Sequence, residues 1–231
     1  MMHPLLDNLS IIKKKLLQLE TGGFCVDIFA LPNDMQIHSS SSFSQILCVS
    51  RTERDFRHLE ENKPSRPPCH VRFWELTSPL GQCFLDTSLA FLSATDEISV
   101  IWIYLYRCAL NEDEFSGLVH KLSNRSNEKT TLYILCVDGN LAKQYARSHI
   151  VYIDKHNDMQ MCHHKQNINT ISVDAINQIC ERNGFMRKNS IRGDKIMEMC
   201  NINVLPYDLW TSQTFFLLHF KSKFHFERYA K

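Results

Sequence analysis

The stretch ISVIWIYLYRC, residues 98–108, decides the fold class because it is apolar almost throughout. A strand that is covered on both faces is apolar in this way, whereas a strand with one solvated face alternates. FCVDIFAL (residues 24–31) and TTLYILCVD (residues 130–138) have the same character and predict two more buried strands. HVRFWEL (residues 70–76) and IVYID (residues 150–154) predict further strands.

Helical segments alternate with these strands. GQCFLDTSLAFLSATDE (residues 81–97) and NEDEFSGLVHKLSNR (residues 111–125) predict helices, and the second carries acids in its first turn, where the helix dipole favours them. SVDAINQICERNGF (residues 172–185) begins with a capping serine and ends at a glycine. Strands that alternate with helices favour an α/β fold, a mainly parallel sheet with helices on both faces.

Three stretches in the first third of the chain are less regular. PNDMQIHSSSS (residues 32–42) is expected to be a loop, and residues 51–68, charged and rich in proline, a solvated loop. SSFSQILCVS (residues 41–50) is compatible with either a helix or a strand.

Composition excludes several classes of protein. The chain has 231 residues and a net charge of +1, so no overall field draws it to nucleic acid or to a membrane. No apolar run reaches the length of a membrane-spanning helix, and the first fifteen residues make a poor signal peptide. The nine cysteines are dispersed and form no CxxC pair, which is typical of reduced core cysteines in a cytoplasmic or nuclear protein.

The order of elements between about residues 24 and 186 resembles the Ras-like small GTPase fold. The matching stretches are HVRFWELTSP, ISVIWIYLYRCALNEDEFSGLVHKL, TTLYILCVDGNL and SVDAINQICERNGF, which together follow the family's alternation of strands and helices. The resemblance implies a small-GTPase-like domain. It rests on pattern and covers about two thirds of the chain.

Each nucleotide-binding motif of that family is degraded here. Residues 32–42 follow the first strand without glycine or lysine, although a P-loop needs glycine for its tight turns and lysine for the terminal phosphates. Trp74 is followed by Glu75 without the expected glycine, and the base-recognition motif is reduced to Asp138, Gly139 and Asn140. The resemblance therefore implies a pseudo-GTPase, without catalytic residues, cofactor or bound metal, of a kind that serves as a subunit in assemblies.

On this interpretation the chain has three parts. Residues 1–23 form an N-terminal amphipathic helix, residues 24–190 form the α/β pseudo-GTPase-like domain, and residues 191–231 form a C-terminal extension rich in aromatic and basic residues. The helix carries an apolar stripe that includes Leu5, Leu9, Ile12 and Leu16.

Four groups of polar residues offer weaker sites. One loop contains four possible zinc ligands, His156, Cys162, His163 and His164, but they lack zinc-ligand spacing. Two predicted strands end in Asp138 and Asp154, where turn-forming aspartates are common. No nucleophile elbow accompanies Asp34, His38 and Ser41, and Cys69 and His70 are merely adjacent in sequence. A solvated loop or a turn explains each group more simply. An α/β enzyme acting at Asp138 and Asp154 is the least favoured hypothesis.

The favoured hypothesis is a non-enzymatic adaptor or structural subunit of an intracellular protein complex. Its partner-binding residues are expected on the N-terminal helix and on the C-terminal segment, at Phe216, Phe220, Lys221, Lys223, Phe224 and Arg228. The alternative is a nucleic-acid- or chromosome-associated protein, because aromatic side chains interleaved with cations can stack on single-stranded bases. A third reading makes the same segment a final core element with its cations in solvent.

Overall fold

The computed structural model describes residues 4–20, 22–50, 53–73, 98–105, 110–137, 171–192, 195–196 and 215–223. Within these ranges the strands join into one seven-stranded sheet in the order β3-β2-β1-β4-β5-β7-β6. The strands are β1 Phe24–Ile28, β2 Gln45–Ser50, β3 Cys69–Phe73, β4 Ile98–Tyr104, β5 Ser126–Val137, β6 Phe185–Arg192 and β7 Phe215–Ser222.

The strand directions divide the sheet into a parallel part and an antiparallel part. Strands β1 to β5 pair in parallel, whereas β7 runs antiparallel to both of its neighbours, β5 and β6. The chain builds outward from β1 to β3 and then returns to place β4 on the other side of β1. The boundary between β1 and β4 is therefore a topological switch point, where the carboxyl ends of the strands leave a crevice.

The described helices are α1 Pro4–Leu19, α2 Asp34–Ser39, α3 Glu53–Glu61, α4 Glu112–Ser123 and α5 Val173–Arg182. Local chemistry fixes where two of them begin. Asn111 and Glu114 form a reciprocal capping box at the start of α4, and the hydroxyl of Ser172 accepts the N–H of Ala175 at the start of α5.

The core lies along the central strands. Ile101 and Ile103 of β4 and Leu132 and Ile134 of β5 are each 1% exposed or less, as the apolar runs predict. Asp27 of β1 stands beside Cys48 of β2 on one side and Trp102 of β4 on the other. Because paired residues on neighbouring strands point to the same face, these three side chains share one face of the sheet.

The sequence predicted the coarse fold class correctly and some local elements incorrectly. The mainly parallel sheet with helices is confirmed, and residues 41–50, left open above, contain strand β2. Two expected loops are wrong in part: residues 32–42 include helix α2, and residues 51–68 include helix α3. The predicted helix over residues 81–97 and the predicted strand over residues 150–154 lie outside the described residues.

The C-terminal segment contributes directly to the sheet. Strand β7 lies between β5 and β6, so part of the stretch assigned above to an extension completes the same sheet as the domain before it. The apolar run in TFFLLHF is continuous because both faces of β7 are covered: Leu217 and Leu218, which point to opposite faces, are both buried. Among the described helices, none combines the length and the apolar character needed to cross a membrane.

Candidate functional site

A cluster of ionisable side chains lies buried at the carboxyl end of β1, beside the switch point. It joins Lys13 of α1, Asp27 of β1, and Asp34 and His38 of α2. The Lys13 ammonium donates to Asp27 Oδ2 at 2.6 Å and to Asp34 Oδ2 at 2.8 Å, and His38 Nε2 lies 2.7 Å from Asp27 Oδ2. All four residues are 1% exposed or less.

The positions of these residues follow from the elements that carry them. Lys13 lies between the buried residues Ile12 and Leu17 on α1, so it faces the sheet, and its ammonium also lies 5.1 Å from the centre of the Trp102 ring. Its neighbours Lys14 and Lys15 are exposed. One lysine of the KKK run therefore belongs to the core and the other two belong to the surface.

The opposite charges in the cluster stabilise one another against the cost of burial. Burial alone would lower the pKa of Lys13, but the carboxylates of Asp27 and Asp34 outweigh it and raise the pKa well above its ordinary value. Burial would raise the pKa of Asp27, yet Lys13 and His38 together bring it below its ordinary value. Burial, with the charge of Asp27, raises the pKa of Asp34. The Lys13–Asp27 ion pair is therefore the firmly charged part of the cluster.

Asp34 connects this cluster to the turn that follows β1. Its Oδ2 accepts the N–H of Leu31 at 2.8 Å as well as the Lys13 ammonium. Phe29, at the start of the turn, has a φ of 63°, which is unusual for a residue other than glycine. The Phe29 side chain is buried in the core, and this packing holds its backbone in the left-handed conformation.

Two cysteines border the same cluster. Cys48 of β2 is the register partner of Asp27, and its Sγ lies 3.9 Å from Sγ of Cys69 on β3. Burial raises the pKa of the Cys48 thiol well above its ordinary value, whereas the hydrogen bond with Cys48 lowers the pKa of Cys69, which is only partly buried. Neither thiol forms a disulfide.

The structure brings together only some of the polar residues considered in the sequence. Asp34 and His38 meet in the buried cluster, whereas Ser41 bonds back to the His38 carbonyl and completes no nucleophile set. Cys69 lies beside Cys48, so its relevant neighbour comes from another strand and not from the adjacent His70. The predicted sites at Asp138, Asp154, and residues 156–164 lie outside the described residues.

The residues expected to contact a partner have mixed positions. Ile12 and Phe220 are buried in the core, and Leu16 and Phe216 are partly buried against it. Lys221 is half-buried and donates to the Thr131 hydroxyl of β5, whereas Lys223 is exposed. The side chains of Leu5 and Leu9, and all of Phe224 and Arg228, lie outside the described residues. Partner binding at the accessible positions stays a prediction.

Sequence reasoning missed the two central members of the cluster. Asp27 interrupts an otherwise apolar strand, FCVDIFAL, and Lys13 stands at a position of α1 that faces inward. A charged residue at a buried position in each of two elements indicates that the two side chains pair with each other, because burying an unpaired charge costs too much free energy.

Neither a protein-family model nor a curated protein matches the sequence. The structure, in contrast, resembles solved structures over nearly its full length. A putative S-adenosylmethionine-dependent methyltransferase from Listeria monocytogenes has a TM-score of 0.61 at 11% identity, covering 95% of this chain and 99% of that one. An S-adenosylmethionine-dependent methyltransferase from Anabaena variabilis has a TM-score of 0.61 at 9% identity, covering 94% of this chain and 85% of that one.

A third similar structure is a complex. It is described as the Haloferax volcanii Trm112 methyltransferase activator with the putative methyltransferase, and the match has a TM-score of 0.59 at 8% identity, covering 94% of this chain and 90% of that one.

These likenesses correct three predictions made from the sequence. The Ras-like, pseudo-GTPase interpretation is wrong, because the similar structures are methyltransferases. The same likenesses contradict the predictions that the chain is a non-enzymatic adaptor and that it is not an enzyme. The nucleic-acid alternative gains no support from them. Both folds alternate strands with helices, so the order of elements along the chain could not separate them. In its fold, the chain is similar to S-adenosylmethionine-dependent methyltransferases.

Proposed function

We propose that this chain is an enzyme that transfers a methyl group from S-adenosylmethionine. One observation carries the proposal: a seven-stranded sheet with β7 reversed gives a likeness to S-adenosylmethionine-dependent methyltransferases across 94–95% of the chain. A fold can host several functions, so the activity has to be tested at the site itself.

The fold indicates where the methyl donor would bind. In open α/β sheets, ligands bind beyond the carboxyl ends of the strands at the switch point, which here lies between β1 and β4. Residues 29–33, the turn between β1 and α2, border this crevice. The buried cluster of Lys13, Asp27 and Asp34 lies beneath this turn and bonds to it through the Leu31 N–H.

The described residues do not fit a nucleoside held in the way common to this kind of sheet. Such sites use glycines after β1 for close backbone approach and an acid near the end of β2 for the ribose hydroxyls. Here the turn contains no glycine, and its Ala30 and Leu31 N–H groups bond to Val49 and Asp34. The acids nearest the end of β2 are Glu53 and Asp55 in the first turn of α3, where Glu53 pairs with Arg57. We therefore assign no catalytic step to the described residues. Residues 74–97 and 138–170, which follow β3 and β5, lie outside the described residues.

Calorimetry on the full chain tests the proposal, with S-adenosylmethionine and S-adenosylhomocysteine as ligands. We expect saturable binding of both. Pro32→Trp places a bulky side chain on the β1–α2 turn and should weaken binding at least about ten-fold, which corresponds to about 1.4 kcal/mol. Pro64→Trp makes the same change at another half-buried proline, which precedes β3 at the amino ends of the parallel strands, and should leave binding unchanged.

Two results would count against the proposal in different ways. If the wild-type chain binds neither compound, the proposed activity is wrong. If Pro32→Trp and Pro64→Trp both bind like the wild type, the donor site lies away from the β1–α2 turn and the placement is wrong.

A further inference from the structure

The cluster beneath the β1–α2 turn also brings together side chains of the kinds that bind metal ions. Asp27, His38 and Cys48 each offer one ligand atom, and these atoms lie within 4.8 Å of one another, with all three residues buried. Cys69 adds a second sulfur, 3.9 Å from Sγ of Cys48. Four potential ligands from β1, α2, β2 and β3 therefore converge on one region.

The spacing of the two sulfurs suits a shared ion. Thiolates bind zinc at about 2.3 Å, and two such ligands at a tetrahedral angle stand about 3.8 Å apart. The Cys48 and Cys69 sulfurs are separated by 3.9 Å without a disulfide. His38 Nε2 lies 2.7 Å from Asp27 Oδ2, so the His38 ring must turn away from that oxygen to bind the same ion as Asp27.

Unpartnered atoms in the same residues point to a missing ligand. Among the described residues, Asp27 Oδ1 and His38 Nδ1 are buried and have no hydrogen-bond partner. Buried polar atoms are nearly always satisfied, so two orphans on adjacent members of one cluster call for an explanation. A metal ion would explain both, directly or by drawing the His38 ring into a new orientation.

The charges of the cluster also permit a bound metal ion. Binding a dication to two thiols releases two protons, so the net charge of the buried cluster does not change. The Lys13 ammonium can then remain on Asp34 and on one oxygen of Asp27. Sulfur and imidazole ligands favour zinc over magnesium or calcium, which prefer sets made only of oxygen.

We propose that Asp27, His38, Cys48 and Cys69 form a structural zinc site. The site is closed, because four protein ligands fill a tetrahedral ion and leave no position for water or substrate. Its effect is to tie α2 to β1, β2 and β3, and so to fix the β1–α2 turn from below. The inference needs no assumption about methyl transfer.

Metal analysis of the full chain tests the site. After purification without chelators and dialysis, we expect about one zinc per chain by plasma mass spectrometry. Replacing the zinc with Co²⁺ should give the visible absorption of tetrahedral cobalt and the near-ultraviolet charge-transfer absorption of sulfur ligands. Cys48→Ser and Cys69→Ser should each lose at least nine tenths of the bound metal. The control Cys180→Ser removes another buried cysteine, on α5, and should retain it.

Circular dichroism of each variant separates loss of a ligand from loss of the fold. The proposal is overturned if the folded wild-type chain takes up neither zinc nor cobalt. It is equally overturned if the Cys48 and Cys69 variants retain metal as well as Cys180→Ser does, or if bound cobalt shows no sulfur charge-transfer band.

Discussion

The ammonium of Lys13 lies 2.6 Å from Oδ2 of Asp27, and these side chains expose 1% and 0% of their surface. A helix that precedes the sheet is thereby bonded to β1, one of the interior strands. Asp34 shares the same ammonium, so the ion pair also fixes the start of α2. The relationship makes α1 part of the fold, since removing the lysine would leave buried carboxylates without compensation.

Replacing Lys13 with methionine should therefore lower the free energy of unfolding by about 3–5 kcal/mol, the usual cost of breaking a buried ion pair by removing one partner. Denaturation in urea, followed by circular dichroism, measures this loss. Lys14→Met is the matched control, because Lys14 is exposed and its replacement should change stability by no more than about 0.5 kcal/mol. Equal effects of the two substitutions would show that the buried pair does not form.

His219 predicts a specific dependence on pH. Burial, reinforced by the charge of Lys221, lowers the pKa of His219 below 6.5, and its ring stacks on Tyr133 with centroids 4.9 Å apart. Because the unfolded state binds the proton more readily, the neutral ring contributes stability above about pH 6.5 that is lost as the pH falls.

His219→Phe keeps an aromatic ring on Tyr133 and removes the titrating group. The difference in unfolding free energy between wild type and variant should therefore move in favour of the variant between pH 8 and pH 5. Comparison at each pH cancels the other histidines, which both chains share. A difference that stays constant over this range would contradict the lowered pKa.

Some parts of this structure were accessible from sequence and others were not. The apolar runs of β4 and β5 predicted buried strands because burial on both faces leaves no polar position to mask the pattern. The start of α5 was visible because the capping contact of Ser172 is local, and the start of α4 was marked by the acids in its first turn.

Strand order is different, because it depends on pairing between distant segments. The residues of β7 do not indicate that the strand inserts between β5 and β6 in the reverse direction. Periodicity therefore allowed a Ras-like interpretation that the sheet order and the similar structures exclude. The buried cluster was missed for the same reason: Lys13 and Asp27 are fourteen residues apart and meet only after α1 has packed on the sheet.

The capping box at the start of α4 should be measurable on its own. Asn111 Oδ1 accepts the Glu114 N–H at 2.9 Å, and Glu114 Oε2 accepts the Asn111 N–H at 2.8 Å. Asn111→Ala removes the first bond and should reduce the unfolding free energy by about 1 kcal/mol. Asn111→Asp retains an acceptor and places a negative charge at the positive end of the helix, so it should cost much less. Equal losses in urea denaturation would show that the cap does not form.

Phe220 tests whether strand β7 is part of the core. Its side chain is fully buried, between Leu132 of β5 and Arg187 of β6 in the strand register. Phe220→Ala should lower the unfolding free energy by about 3–5 kcal/mol, since the neighbouring strands cannot close over the cavity it leaves. Phe216→Ala removes the same atoms from a partly buried position of the same strand and should cost clearly less. If both substitutions leave the urea midpoint unchanged, β7 is not packed as described and the reversed strand that identifies the fold is in doubt.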